Sequence, residues 1–110
     1  MKTTTYNKLV RDRIPEIIER KPGNKCVIEI LSDEEYLKML DKKLDEELSE
    51  YHKDKNLEEL ADLVEVIYAC VEARGYSLEE LENIRAFKAE YRGAFKNKIL
   101  LKETITDDEV

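Results

Sequence analysis

The chain has 110 residues, and its 19 Lys and Arg against 26 Asp and Glu leave a formal charge of −7. That length suits one domain. A negative net charge argues against nucleic acid or an anionic membrane as partner, and no apolar run approaches the roughly 18 residues of a membrane span. The opening MKTTTYNKLVRDR lacks the apolar stretch of a signal peptide, so a cytoplasmic location is expected. Three Gly and two Pro exclude a loop-rich or collagen-like chain, and without Trp the core must be built mostly of Leu, Ile, Val and Tyr.

A short helix is predicted from Asp12, as N-cap, with Pro15 tolerated in the first turn. The breaker cluster Lys21-Pro22-Gly23-Asn24 stops it. Cys26 to Leu31 is short and β-branched, an extended segment or isolated strand with no sheet expected. Cys26 and Cys70 sit among apolar neighbours without metal-ligand spacing and are read as buried, reduced core residues. Ser32 with Glu35 is a capping box. Behind it Leu37, Leu40, Leu44, Leu48 and Tyr51 form one stripe of a long helix that should end near 52–54. Asn56 with Glu59 opens the next helix and Gly75 closes it. Ser77 with Glu80 opens a last helix carrying Leu78, Leu81, Ile84, Phe87 and Tyr91, which Gly93 ends. Asp107 to Val110 reads as a frayed acidic tail. The fold class is therefore all-α, a helical bundle in a single domain over 1–110.

The third helix is unusual. Ten of the twelve residues from Leu60 to Val71 are apolar and cover nearly its whole circumference, so burial on more than one side is expected, against a second copy of the chain in a homodimer or homotetramer. Asp62 and Glu65 nevertheless interrupt it, and a buried carboxylate must be protonated, ion-paired or bound to a cation. Glu59 and Asp62 lie roughly 60° apart on one flank. Glu47 and Glu50 repeat that spacing on the long helix, beside its Leu stripe. The short Asp54-Lys55-Asn56 connection makes the two helices an antiparallel hairpin, so all four carboxylates converge near its closed end. Oxygen ligands without His or Cys suit Mg²⁺ or Mn²⁺. The plainer reading leaves Glu59 as a capping residue and Glu46, Glu47 and Glu50 on a solvated face. Glu65 either joins the site or pairs with a cation such as Arg85. Lys8, Arg11 and Arg13, and Lys88 and Arg92 on the last helix, suit phosphate oxygens or ordinary surface pairing. His52 reads as an exposed helix-end residue.

EELSE (46–50), EELAD (58–62), the opening YNKLVRDRIPEII (6–18) and the closing KAEYRGAF (88–95) together resemble the all-α nucleoside triphosphate pyrophosphohydrolases, in particular the MazG-related, phosphoribosyl-ATP pyrophosphohydrolase-like proteins. The family's E-x-x-E and E-x-x-D fall on Glu47 and Glu50, then on Glu59 and Asp62. The resemblance implies a four-helix-bundle plan, an oligomer, and Mg²⁺-dependent cleavage of a nucleotide between its α and β phosphates, giving a monophosphate and pyrophosphate. On that reading Glu47, Glu50, Glu59 and Asp62 hold the metal and Glu47 or Glu50 serves as general base. Lys8, Arg11, Arg13, Lys88 and Arg92 take the phosphates. Only eight residues separate Glu50 from Glu59, fewer than in many members, which bears on pocket size and substrate choice. Two other readings are a non-catalytic helical interaction module and a phosphoribosyl-ATP pyrophosphatase.

Overall fold

The computed structural model describes residues 1–107 and is all-α, with four helices and no strand among the described residues. These are α1 (Ile14–Glu19), α2 (Asp33–Asp54), α3 (Leu57–Ala73) and α4 (Leu78–Arg92). The chain divides into two compact units, Met1–Leu78 and the residues from Glu79 onward. Among the described residues no helix is long and apolar enough to cross a membrane. Asp107 is exposed and without regular structure, and the rest of the predicted tail lies outside the described residues.

The first unit is organised by its caps. The Glu35 amide donates to Ser32 Oγ at 3.2 Å, and the hydroxyl donates in turn to the Glu35 carboxylate at 3.0 Å. α2 ends at Lys55, which takes the left-handed conformation (φ 50°, ψ 38°) and donates its amide to Tyr51 O at 2.7 Å. Its amine lies over the Tyr51 ring, 5.7 Å from the centroid. Asn56 then caps α3, its Oδ1 accepting from the Glu59 amide at 2.9 Å. Two residues thus reverse the chain and lay α3 against α2. Leu40 on α2 (2% exposed) and Val66 on α3 (9%) are the buried apolar side chains among the described residues, and Leu37, Leu44, Leu63 and Ala69 are half-buried.

Several expectations are corrected. Arg13, not Asp12, is the N-cap of α1. It makes no side-chain cap bond and instead donates from Nε to Glu16 Oε2 at 3.1 Å, because Pro15 in the first turn removes one of the amides a cap would serve. Both cysteines are free as expected but half-buried. Cys26 is held at the surface by its amide on Glu19 Oε2 (3.1 Å) and its thiol on Pro15 O (3.8 Å). On α3, the helix expected to meet a second copy, Val66 is buried in the single chain, Ala69 and Ala73 are half-buried, and Leu60, Val64, Ile67 and Tyr68 are exposed. The stripe on α2 is likewise exposed at Leu48. The 26–31 segment is extended and unpaired, as expected, with Val27, Ile28 and Ile30 exposed.

In the second unit Phe87 and Tyr91 stack one turn apart, with ring centroids at 4.4 Å. Arg85 pairs with Glu82, three residues away, its Nε donating at 2.9 Å. Gly93 follows α4 with φ 84°.

α3 ends in a Schellman motif. The Tyr76 amide donates to Val71 O at 3.1 Å and the Gly75 amide to Glu72 O at 3.0 Å, with Gly75 at φ 89°. No atom lies within 4 Å of where a Cβ would stand, so an alanine there meets backbone strain alone. Gly75→Ala should therefore cost about 1 kcal/mol of stability by urea unfolding, with helical content unchanged.

Candidate metal centre

The reversal at Lys55-Asn56 sets the C-terminal turns of α2 beside the N-terminal turns of α3. Oxygen atoms of Glu47, Glu59 and Asp62 all come within 4.8 Å of one another, each residue half-buried. Glu50 is not part of that group. One position round the helix, it forms a second and more exposed group with Asp54 and Glu59, again within 4.8 Å. Three of the four expected carboxylates thus meet at one point, and the fourth is linked to them through Glu59. Asp54 was missed. Its signal was the i, i+4 spacing from Glu50 at the very end of α2, which the hairpin turn carries onto the same side.

Glu47 and Asp62 of the first group line a cleft of about 640 Å³ between α2, α3 and the irregular segment before α1. Leu40, Val66 and Ala69 supply its apolar lining, and Glu47, Asp62, Lys43 and Arg11 its charged end. Glu65 lines the cleft but belongs to neither carboxylate group. Tyr36 stands in the same cleft, and its phenol is pushed up by burial and by the negative charge of Asp12, Cys70 and Glu72.

Carboxylates this close repel one another. Partial desolvation, then the charges of Asp62, Asp54, Glu50 and Glu47, push the Glu59 carboxyl above its usual range. Cations answer from two directions. Lys43 lies one turn before Glu47, with its amine 3.4 Å from Glu47 Oε1 and 3.4 Å from Glu46; its side chain is 17% exposed and that of Glu47 13%. Arg11 Nη2 donates to Asp62 Oδ1 at 2.8 Å, and Lys8 Nζ to Glu46 Oε1 at 3.3 Å. Burial raises the Glu46 carboxyl, but Lys43 and Lys8 outweigh it and hold the group below its ordinary value.

Of the five basic residues singled out from the sequence, Lys8 and Arg11 lie at this acidic end. Arg13 is turned to Glu16 on α1. Lys88 and Arg92 are exposed on α4, and Arg92 borders a second, smaller cleft with Phe95 and Ile99. Lys43 was not singled out, although its i, i+4 position before Glu47 carried the information. His52 is exposed at the end of α2, as expected.

The donor chemistry fits a hard divalent cation. Three carboxylates from two rigid helices offer oxygen alone, with no imidazole or thiolate, which suits Mg²⁺ or Mn²⁺ over Zn²⁺.

No family model matches the chain, and no solved structure matches it. A curated protein of Mycolicibacterium smegmatis, named only as an uncharacterized protein, is 60% identical over 43 residues, which is 39% of this chain and 43% of that protein. The chain thus spans under half the length of the curated relative it matches.

Proposed function

We propose that the chain is a Mg²⁺-dependent nucleotide pyrophosphohydrolase, cleaving a nucleoside triphosphate or related nucleotide between its α and β phosphates. The observation that carries this reading is the meeting of Glu47, Glu59 and Asp62 oxygens within 4.8 Å at the charged end of a cleft. The resemblance of EELSE, EELAD and the KLVRDRIP opening to the MazG-related proteins supplies the reaction. Glu47, Glu59 and Asp62 would hold the cation. When bound, it supplies positive charge against the triphosphate and lowers the pKa of a water.

The chain's own groups do the rest. Of the two carboxylates expected as general base, Glu50 is favoured, since it stands outside the three-oxygen group and shares its surroundings with Asp54 and Glu59. It takes the proton of the attacking water. The water oxygen bonds to the α-phosphorus, the bond to the α–β bridging oxygen breaks, and pyrophosphate leaves with that oxygen. Arg11 and Lys43, both lining the cleft, bind phosphate oxygens and offset the charge that develops. Lys8, tied to Glu46 at the same acidic end, is a further proposed phosphate ligand. The rival reading, a helical module whose acids and bases form only a structural charge network, draws on the Arg11–Asp62 and Lys43–Glu47 pairs.

The working unit is a homodimer or homotetramer. Leu48, Leu60, Val64, Ile67 and Tyr68 are exposed on the hairpin, and only Leu40 and Val66 are buried apolar side chains among the described residues. So small a core supports that reading, because a chain of this size is marginal without further apolar burial.

Three outcomes are expected. Across a panel of canonical and modified nucleotides, the protein releases pyrophosphate only with Mg²⁺, and Asp62→Asn lowers that rate by about 100-fold or more with the helical circular dichroism intact; equal rates in the two proteins would remove the mechanism. The second outcome concerns stability. A raised carboxyl pKa means the fold disfavours the charged form, so Glu59 works against stability above the ordinary carboxyl range and ceases to as pH falls through its raised pKa. At pH 7, low salt and without divalent cations, Glu59→Gln should melt above the wild type. The difference should close in acid, and added Mg²⁺ should raise the Tm of the wild type only. Third, light scattering should give at least twice the 13.0 kDa chain mass, and Val64→Glu should reduce it toward one chain.

A further inference from the structure

The two cations at the acidic cluster are held in different ways. Lys43 is part of α2, and its amine reaches Glu47 from one turn away on a side chain only 17% exposed. Arg11 comes from the irregular segment before α1, lies 51 residues from Asp62 in sequence, and keeps 57% of its side chain exposed. Its neighbours Leu9 and Val10 form a wall of the cleft. Lys8 gives the segment a second attachment, to Glu46 on α2. The segment is thus tied down by two ion pairs, and one of them uses an oxygen of a residue in the three-carboxylate group.

Asp62 cannot serve both partners equally. A guanidinium 2.8 Å from Oδ1 and a divalent cation on the same carboxylate are like charges a few ångströms apart, and each weakens the hold of the other. Exposed ion pairs contribute little to stability, so little opposes release of the arginine. A released guanidinium is a planar, permanently charged fork suited to a phosphate.

Resting on the metal reading given above, we propose that Arg11 is an exchangeable occupant of Asp62. It covers the carboxylate in the free protein, is displaced when a divalent cation binds, and so becomes available to a substrate phosphate beside the same cleft. Cation and phosphate binding are then coupled through one side chain. A phosphate that draws Arg11 away uncovers Asp62, and by linkage each ligand strengthens the other. The segment from Lys8 to Asp12 loosens as the site fills with cation and is tied again when a phosphate engages Arg11.

The test is Mn²⁺ binding by calorimetry on the full chain, in the wild type, Arg11→Gln and Asp62→Asn, joined to amide hydrogen exchange with and without Mg²⁺. Arg11→Gln should bind Mn²⁺ about three- to tenfold more tightly than the wild type. Mg²⁺ should speed exchange over residues 8–12 in the wild type and leave it unchanged in Arg11→Gln. If Asp62→Asn abolishes binding while Arg11→Gln binds no more tightly than the wild type, the exchange is overturned and the metal site stands. Tighter binding without faster exchange over 8–12 also overturns it, because loss of a charge then accounts for the whole effect. Failure of the wild type to bind Mn²⁺, or binding that Asp62→Asn leaves intact, overturns the exchange and the metal reading together.

Discussion

Mutual repulsion of carboxylates at the closed end of the α2–α3 hairpin is the constraint around which the first unit is arranged. Glu47, Glu50, Asp54, Glu59 and Asp62 are brought together by a two-residue turn, and desolvation first, then the neighbouring negative charges, push the Glu59 carboxyl up. The turn holds because it is locally determined: Lys55 accepts the left-handed conformation, Asn56 satisfies an amide of α3, and Leu40 on α2 and Val66 on α3 are buried further along. Helix dipoles act unequally on these acids. Glu59 lies in the first turn of α3, where the dipole favours negative charge, whereas Asp54 is the last residue of α2, where it opposes it. The α3 side is thus the better-supported half, and two of the three meeting carboxylates come from it.

What the sequence made legible was what a few neighbouring residues decide. Ser32, Asn56 and Gly75 each mark a helix end through a bond within five residues, and all three act as read. The register of Glu47, Glu59 and Asp62 was also legible, since helical periodicity and a short turn suffice to bring them to one place. The angle between the helices was not, and it decides whether Glu50 falls in the first group or beside it. Arg11–Asp62 and Lys8–Glu46 span 51 and 38 residues, and no local rule chooses such partners from 19 bases and 26 acids.

The apolar circumference of α3 shows where pattern and structure part. A helix that is apolar all round is expected to be covered on more than one side. The pattern does not say by what. Within the single chain Val66 is buried and Ala69 and Ala73 are half-buried, while Leu60, Val64 and Ile67 are exposed. The acidic cluster sits at one end of this helix, so the proposed assembly, by covering the exposed side, would also steady the elements carrying Glu59 and Asp62. Stability and site are in this respect one problem.

The division of labour between Lys43 and Arg11 follows from how each is attached. An amine on the same helix as its carboxylates needs no further ordering to stay in place, so Lys43 is a permanent countercharge to Glu46 and Glu47. An arginine on an irregular segment gives up more conformational freedom to reach Asp62, and its pair is exposed. The net hold is therefore weak and reversible. An acidic cluster neutralised wholly by residues like Lys43 would be inert toward any ion, and one left bare would strain the hairpin. On the proposed exchange, Lys43 is the fixed part of the countercharge and Arg11 the removable part, which would leave Asp62 open to a stronger cation.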